Sequence, residues 1–185
     1  MERAVHDINI LDKFAIEFCG IVEKHCKYII VSGFTAIAHG RTRGTEDIDM
    51  ILEKISLEEF ARMHKELIRN KFICVRSDDF QQIYVEYLSH NLSVRYIWKG
   101  KPVPEMEIKL AQDELDRYQI QTRVKFPKTG LNIWFSTIEM NIAFKEELLK
   151  SPKDLEDARY LRVIYSGEID EEEIERIKKM IKEFR

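Results

Sequence analysis

Residues Ser32 to Asp49 read SGFTAIAHGRTRGTEDID, and this run decides the fold. The apolar tetrad Tyr28-Ile29-Ile30-Val31 precedes it and Met50-Ile51-Leu52 follows it. That order predicts a buried strand, a turn at Ser32-Gly33, a short helix over Phe34 to His39, a polar loop and a second strand. Gly40 is the expected helix stop. Side chains on a strand alternate between faces, so Asp47 and Asp49 share one face while Ile48 and Met50 point to the core. Two neighbouring carboxylates repel each other and favour a cation between them. An all-oxygen donor set suits Mg2+, or Mn2+ in its place.

Working outward, Asp7 to Lys24 carries apolar residues at helical spacing, from Ile10 and Leu11 to Ile21 and Val22. Downstream, Ser56 with Glu59 forms a capping box that opens a helix striped by Leu57, Phe60, Met63, Leu67 and Ile68. This helix is the crossover that a parallel or mixed sheet requires. From Phe72 the period becomes two. Ile83, Val85 and Tyr87, then Leu92, Val94, Tyr96 and Trp98, predict a hairpin turning at Ser89-His90-Asn91. Met106, Ile108 and Leu110 predict a strand, and Asp113 to Arg117 a turn. Tyr118 to Phe126 and Leu131 to Phe135 predict two more strands. Helices follow from Ser136, from Ser151-Pro152 and from near Asp170. The expected class is α/β (α+β): a mixed-sheet core over residues 1–135, then a helical segment over 136–185 packed on it.

Composition narrows the function. The 185 residues are 44% hydrophobic and 34% charged, with a net charge of −3. That argues against disorder and against a broadly basic nucleic-acid surface. The cysteines Cys19, Cys26 and Cys74 have no paired-ligand spacing and read as buried free thiols. With no signal peptide and no apolar run of membrane length, the expected setting is cytoplasmic.

Ser32-Gly33, a gap, then Asp47-Ile48-Asp49 resembles the signature of the nucleotidyltransferase superfamily, whose catalytic domain is shared with DNA polymerase beta. That signature is a glycine pair, usually Gly-Gly or Gly-Ser, followed by Asp-x-Asp on the next strand. Arg43-Gly44-Thr45-Glu46-Asp47-Ile48-Asp49 looks like the Arg-x-Thr-x-Asp-x-Asp run of a small prokaryotic branch that includes antibiotic-modifying and AbiEii-like enzymes. Lys145 and Lys153-Asp154-Leu155-Glu156-Asp157 match a lysine and a Lys-Asp-x-x-Asp segment of that branch. The likeness is close over residues 28–54 and loose over 136–163.

The resemblance implies that Asp47 and Asp49 are catalytic and bind the metal, and that Ser32 and Gly33 contact a nucleoside triphosphate such as ATP. Arg43 and Lys145 would reach phosphate. For Arg43, a salt bridge to Glu46 or to the aspartates competes with that role. Lys153 to Asp157 either closes the site or braces the helices. The family also supplies a third carboxylate from a later strand. The expected strand is Leu92 to Trp98, where Arg95 stands, and Glu86 is the nearest substitute. The implied activity is transfer of a nucleoside monophosphate to an acceptor hydroxyl on a protein, an RNA or a small molecule. The alternative is a catalytically impaired protein that binds nucleotide or a partner, such as one component of a toxin–antitoxin pair.

Overall fold

The computed structural model describes residues 8–185. Asp7, the expected start of the first helix, lies outside them. Helix α1 (Ile10–Val22) opens on a capping box between Asn9 and Asp12. Strand β1 (Tyr28–Val31), helix α2 (Gly33–Ala38) and strand β2 (Asp47–Leu52) follow, as the sequence predicts. Helix α3 (Leu57–Arg69) carries the predicted capping box between Ser56 and Glu59. Next come β3 (Phe72–Cys74), α4 (Phe80–Gln82), β4 (Val94–Trp98), β5 (Glu105–Leu110) and α5 (Glu114–Gln121). Helices α6 (Ile138–Phe144), α7 (Pro152–Ile164) and α8 (Glu171–Phe184) end the chain.

The five strands form one mixed sheet in the order β1-β2-β5-β4-β3. Only β2 and β5 run parallel, with Asp49 opposite Glu107. The period-two pattern gives the sheet two distinct faces. Tyr28, Ile30, Ile48, Met50, Leu52, Tyr96, Met106 and Ile108 point to a core built with α1 and α3. There Phe18 stands edge-on to Phe72, with ring centroids 5.2 Å apart. Ile29, Ile51, Ala111 and Ile120 form a small apolar cluster between β1, β2 and α5 on the other face. The rest of that face carries the charged residues. A separate core of Ile138, Ile142, Leu161, Ile174 and Ile177 holds α6, α7 and α8 together, with Leu115 of α5 joining it.

Two predicted strands are helical. Ile83–Tyr87 is a π-helical turn continuing α4, followed by the 3-10 turn Leu88–His90. Phe80, Ile83, Tyr84, Tyr87 and Leu88 recur at helical spacing and bury one side, whereas Val85 is exposed. Asp79 caps the start, and Asn91 ends the segment in the left-handed conformation. Over Tyr118 to Phe126, α5 replaces the expected strand as far as Gln121. Asp113 caps it by accepting from Asp116 N, which also converts the expected turn at Asp113 to Arg117 into a helix start. Leu131 to Phe135 makes isolated bridges only, Phe135 pairing with Ile30 and with Val124.

Candidate active site

The site begins where β1 ends. Ser32 turns the chain with φ +66° and ψ −138°, a conformation costly for any residue but glycine. Its hydroxyl makes no helix cap and instead hydrogen-bonds Asp49. Gly33 follows because a Cβ there would stand 3.1 Å from the guanidinium carbon of Arg43. The turn therefore joins the strand carboxylate on one side to the arginine of the polar loop on the other.

Alternation on β2 puts Asp47, Asp49 and Ile51 on the face opposite the main core, while Ile48, Met50 and Leu52 are buried within it. Asp47 is exposed, and its Oδ1 accepts from Thr45 Oγ1 at 2.7 Å. On β5, Glu105, Glu107 and Lys109 take the same face, in register with Asp47, Asp49 and Ile51. Burial pushes the Asp49 carboxyl above its usual range, and repulsion from Asp47 and Glu107 adds to this. The Ser32 hydrogen bond and nearby Lys109 act the other way.

The carboxylate that the register sets beside Asp49 is that of Glu107, not Glu86. Glu86 sits on the π turn and accepts from Gln82 Nε2 at 3.1 Å, away from the sheet face. The sequence carries the signal for Glu107: the strand pattern Met106, Ile108, Leu110 leaves Glu107 on the opposite face. Which strand lies beside β2 is a matter of topology, and sequence pattern does not state it. Arg95 occupies β4 opposite Glu107, as the resemblance expected of a carboxylate. Its Nε reaches Glu107 Oε2 at 2.9 Å and Glu105 Oε2 at 3.4 Å. Arg95 is therefore a cation already placed against Glu107.

Arg43 and Lys145 meet elsewhere. Asp157, fully buried on α7, accepts from Lys145 Nζ at 2.9 Å and from Arg43 Nη1 at 2.5 Å. Arg41 pairs with the same carboxylate and with Glu156 at 2.7 Å. Lys145 also reaches Asp154 Oδ1 at 3.4 Å. The loop carrying Arg41 and Arg43 is pinned to α7, so the Lys153 to Asp157 segment braces helices. Arg43 pairs with Asp157 rather than with Glu46 or the aspartates. Burial lowers the Lys145 ammonium to about 8; Asp154 opposes this shift, and Arg43 and Arg41 reinforce it.

A cavity of about 280 Å³ opens against this face. Ser32, Asp49, Glu107 and Lys109 line its sheet end, and Gln119, Ser136, Asn141 and Lys145 line its helical side. Among the described residues, no three His, Cys, Asp or Glu side chains converge enough to hold an ion alone. Two of the relevant acids have partners: Thr45 holds Asp47, and Arg95 holds Glu107. Mg2+ is commonly bound by one or two carboxylates together with substrate phosphates and water. The mutually repelling carboxylates of exposed Asp47 and half-buried Asp49 fit that kind of site.

Among the described residues no helix is long and apolar enough to cross a membrane. Cys19, Cys26 and Cys74 are buried and free. No protein-family model matches the chain, and no curated protein matches it either. Solved structures do. An antigenic nucleotidyltransferase-like protein from Paracoccidioides brasiliensis superposes with a TM-score of 0.55 at 13% identity, covering 95% of this chain and 88% of that one. ANT(2'')-Ia in complex with adenylyl-2''-tobramycin superposes with a TM-score of 0.54 at 14% identity, covering 95% and 98%. The solution structure of the antibiotic-resistance factor ANT(2'')-Ia gives 0.50 at 14%, covering 93% of each chain. The mixed sheet with its flanking helices is a nucleotidyltransferase-like fold.

Proposed function

We propose that the protein is a metal-dependent nucleotidyltransferase that moves a nucleoside monophosphate from a nucleoside triphosphate to an acceptor hydroxyl. One observation carries this reading. Asp47, Asp49 and Glu107 stand on one sheet face, and Asp49 and Glu107 line the cavity beside the Ser32 hydroxyl. In the reaction the acceptor oxygen bonds to the α-phosphorus, the bond to the bridging oxygen breaks, and pyrophosphate leaves. The hydroxyl proton passes to a carboxylate, for which Glu107 is the candidate base. Mg2+ or Mn2+ held by Asp47 and Asp49 would neutralise charge on the phosphate oxygens. Ser32 and Gly33 would meet the triphosphate where the chain turns. Lys145, lining the cavity, would supply a point charge to phosphate while its other contacts stay with Asp157. Arg43 would act through the turn, since Gly33 packs on its guanidinium.

The adenylyl-2''-tobramycin carried by one structural neighbour is the kind of product such a transfer makes. Here the acceptor class is a protein, an RNA or a small molecule. Incubating the protein with labelled nucleoside triphosphates, Mg2+ or Mn2+ and a cell extract should transfer label to one of these. Equal labelling by Asp49→Ala would overturn the assignment. A second reading, nucleotide binding without turnover, draws on the Arg95–Glu107 pair, which occupies the candidate base. Calorimetry that detects nucleotide binding, with no transfer in the labelling assay, would favour it.

A further inference from the structure

Among the described residues three cations line the cavity: Lys109 on β5, Lys145 and Arg185. Two of them are committed. Lys145 pairs with Asp157 at 2.9 Å and with Asp154 at 3.4 Å. Arg185 pairs with Asp113 and, at 2.9 Å, with Asp116, the acid on the helical side of the cavity. Beside them on the sheet face, Arg95 is held by Glu107 and Glu105. The Lys109 ammonium differs. Among the described residues it makes no hydrogen bond or ion pair, and it acts on Asp49 through space. Lys109 is partly buried, so salt screens its charge less than that of a fully exposed lysine. A cation held at a cavity wall without a partner is available to a ligand of opposite sign.

The register decides which ligand Lys109 meets. Val31, the residue before the Ser32-Gly33 turn, stands opposite Asp49. Lys109 stands opposite Ile51, one same-face step further along β2 and away from the turn. On β5 the same step separates it from Glu107 by about 6.6 Å. A triphosphate seated at the turn and at Asp47 and Asp49 lies on the other side of Asp49 from Lys109. Glu107, the candidate base, marks the place of the acceptor hydroxyl, and Lys109 lies beyond it. We therefore infer that the acceptor is a small anionic molecule, whose carboxylate or phosphate pairs with Lys109 while its hydroxyl meets Glu107. The inference rests on the nucleotidyltransferase reading and names its acceptor class. A polycationic acceptor would meet an unpaired ammonium here. An RNA would bring a run of phosphates to a face where Asp47, Asp49, Glu105 and Glu107 outnumber Arg95 and Lys109, on a chain of net charge −3.

Mass spectrometry of the labelled product from the transfer assay identifies what received the nucleoside monophosphate. A small molecule with a carboxylate or phosphate besides the added one is expected, and its mass distinguishes the two. With that acceptor, Lys109→Gln should raise KM about tenfold to a hundredfold, the loss expected for one charge-assisted hydrogen bond. Lys109→Arg, which keeps the charge, should restore most of it. The affinity for Mg2+-tripolyphosphate, read by calorimetry, should change far less than KM. A neutral or cationic acceptor, a protein or an RNA overturns the inference and leaves the transferase reading standing. So does an unchanged KM in Lys109→Gln. A loss of tripolyphosphate affinity as large as the change in KM also overturns it, by placing Lys109 in the triphosphate site. If no product is labelled, both readings fall.

Discussion

Two groups of charged side chains lie on either side of the Ser32-Gly33 turn, and they are built in opposite ways. Around Asp157, one fully buried carboxylate meets Lys145, Arg43 and Arg41. On the sheet face, Asp47, Asp49, Glu105 and Glu107 outnumber Arg95 and Lys109, and the group borders a cavity. With Asp154 and Glu156 added, three acids face three cations in the first cluster, which is anchored to helix α7. The second retains excess negative charge beside open space. Buried charge with its partners in place holds parts together, whereas unbalanced charge at a cavity is available to a ligand.

The comparison can be broken most forcefully at Asp157. Asp157→Ala would leave Lys145 buried among arginines without its closest acid, and should cost about 3–5 kcal/mol in denaturant unfolding. A loss under about 1 kcal/mol, the range of exposed ion pairs, would show that the cluster does not brace the fold.

Asp49→Asn is the matching change on the sheet face. The folded-state pKa of Asp49 is raised, so the folded chain holds the extra proton and this group's contribution to stability falls as pH rises through the carboxylate range. Removing its charge should therefore leave stability at neutral pH equal or higher, within about 1 kcal/mol by the same unfolding measurement. Transfer should fall by about a hundredfold or more, since loss of mere supporting groups at metal sites costs up to about that much. Destabilisation comparable to that of Asp157→Ala would erase the distinction between the clusters.

A finer test uses pH. Lys145 has its pKa lowered from 10.5 to about 8, so the unfolded chain holds the extra proton between those values. Stability from this group therefore falls as pH drops through that window and rises with pH across it. Nucleotide affinity should fall as the ammonium deprotonates above about 8, and Lys145→Arg should flatten that fall. A pH-independent wild-type affinity between pH 7 and 9 would remove Lys145 from the phosphate site.

The smallest expected effect is at Arg95. It is half-exposed, so Arg95→Ala should change stability by about 0–1 kcal/mol. Its guanidinium competes for Glu107, so the variant should bind Mg2+ or Mn2+ a few-fold tighter, as read by the metal-induced rise in melting temperature. Weaker metal binding by the variant would mean that Arg95 supports the site rather than competing for it.

Much of the architecture was legible along the chain. The predicted sheet end of the site, Tyr28 to Leu52, folds as read, and so does the helix opened by Ser56. The misreadings have a common cause. In Phe80–Leu88 and Glu114–Gln121, alternating apolar residues also satisfy helical spacing, and burial decided between the two. Asp79 and Asp113 were the local helix signals, since each caps its helix through a side-chain hydrogen bond.

What the sequence determined alone was the shared face of Asp47 and Asp49 and the turn beside them, because strand alternation and turn geometry act over a few residues. Tertiary structure decided the rest. Glu107 comes to stand beside Asp49 only because β5 pairs in parallel with β2. Arg43 meets Asp157 across 114 residues of chain, and Lys145 meets it as well, so two groups expected at phosphate first serve a buried carboxylate. Local periodicity sets which way a side chain points. Only the packing of distant segments sets what it points at.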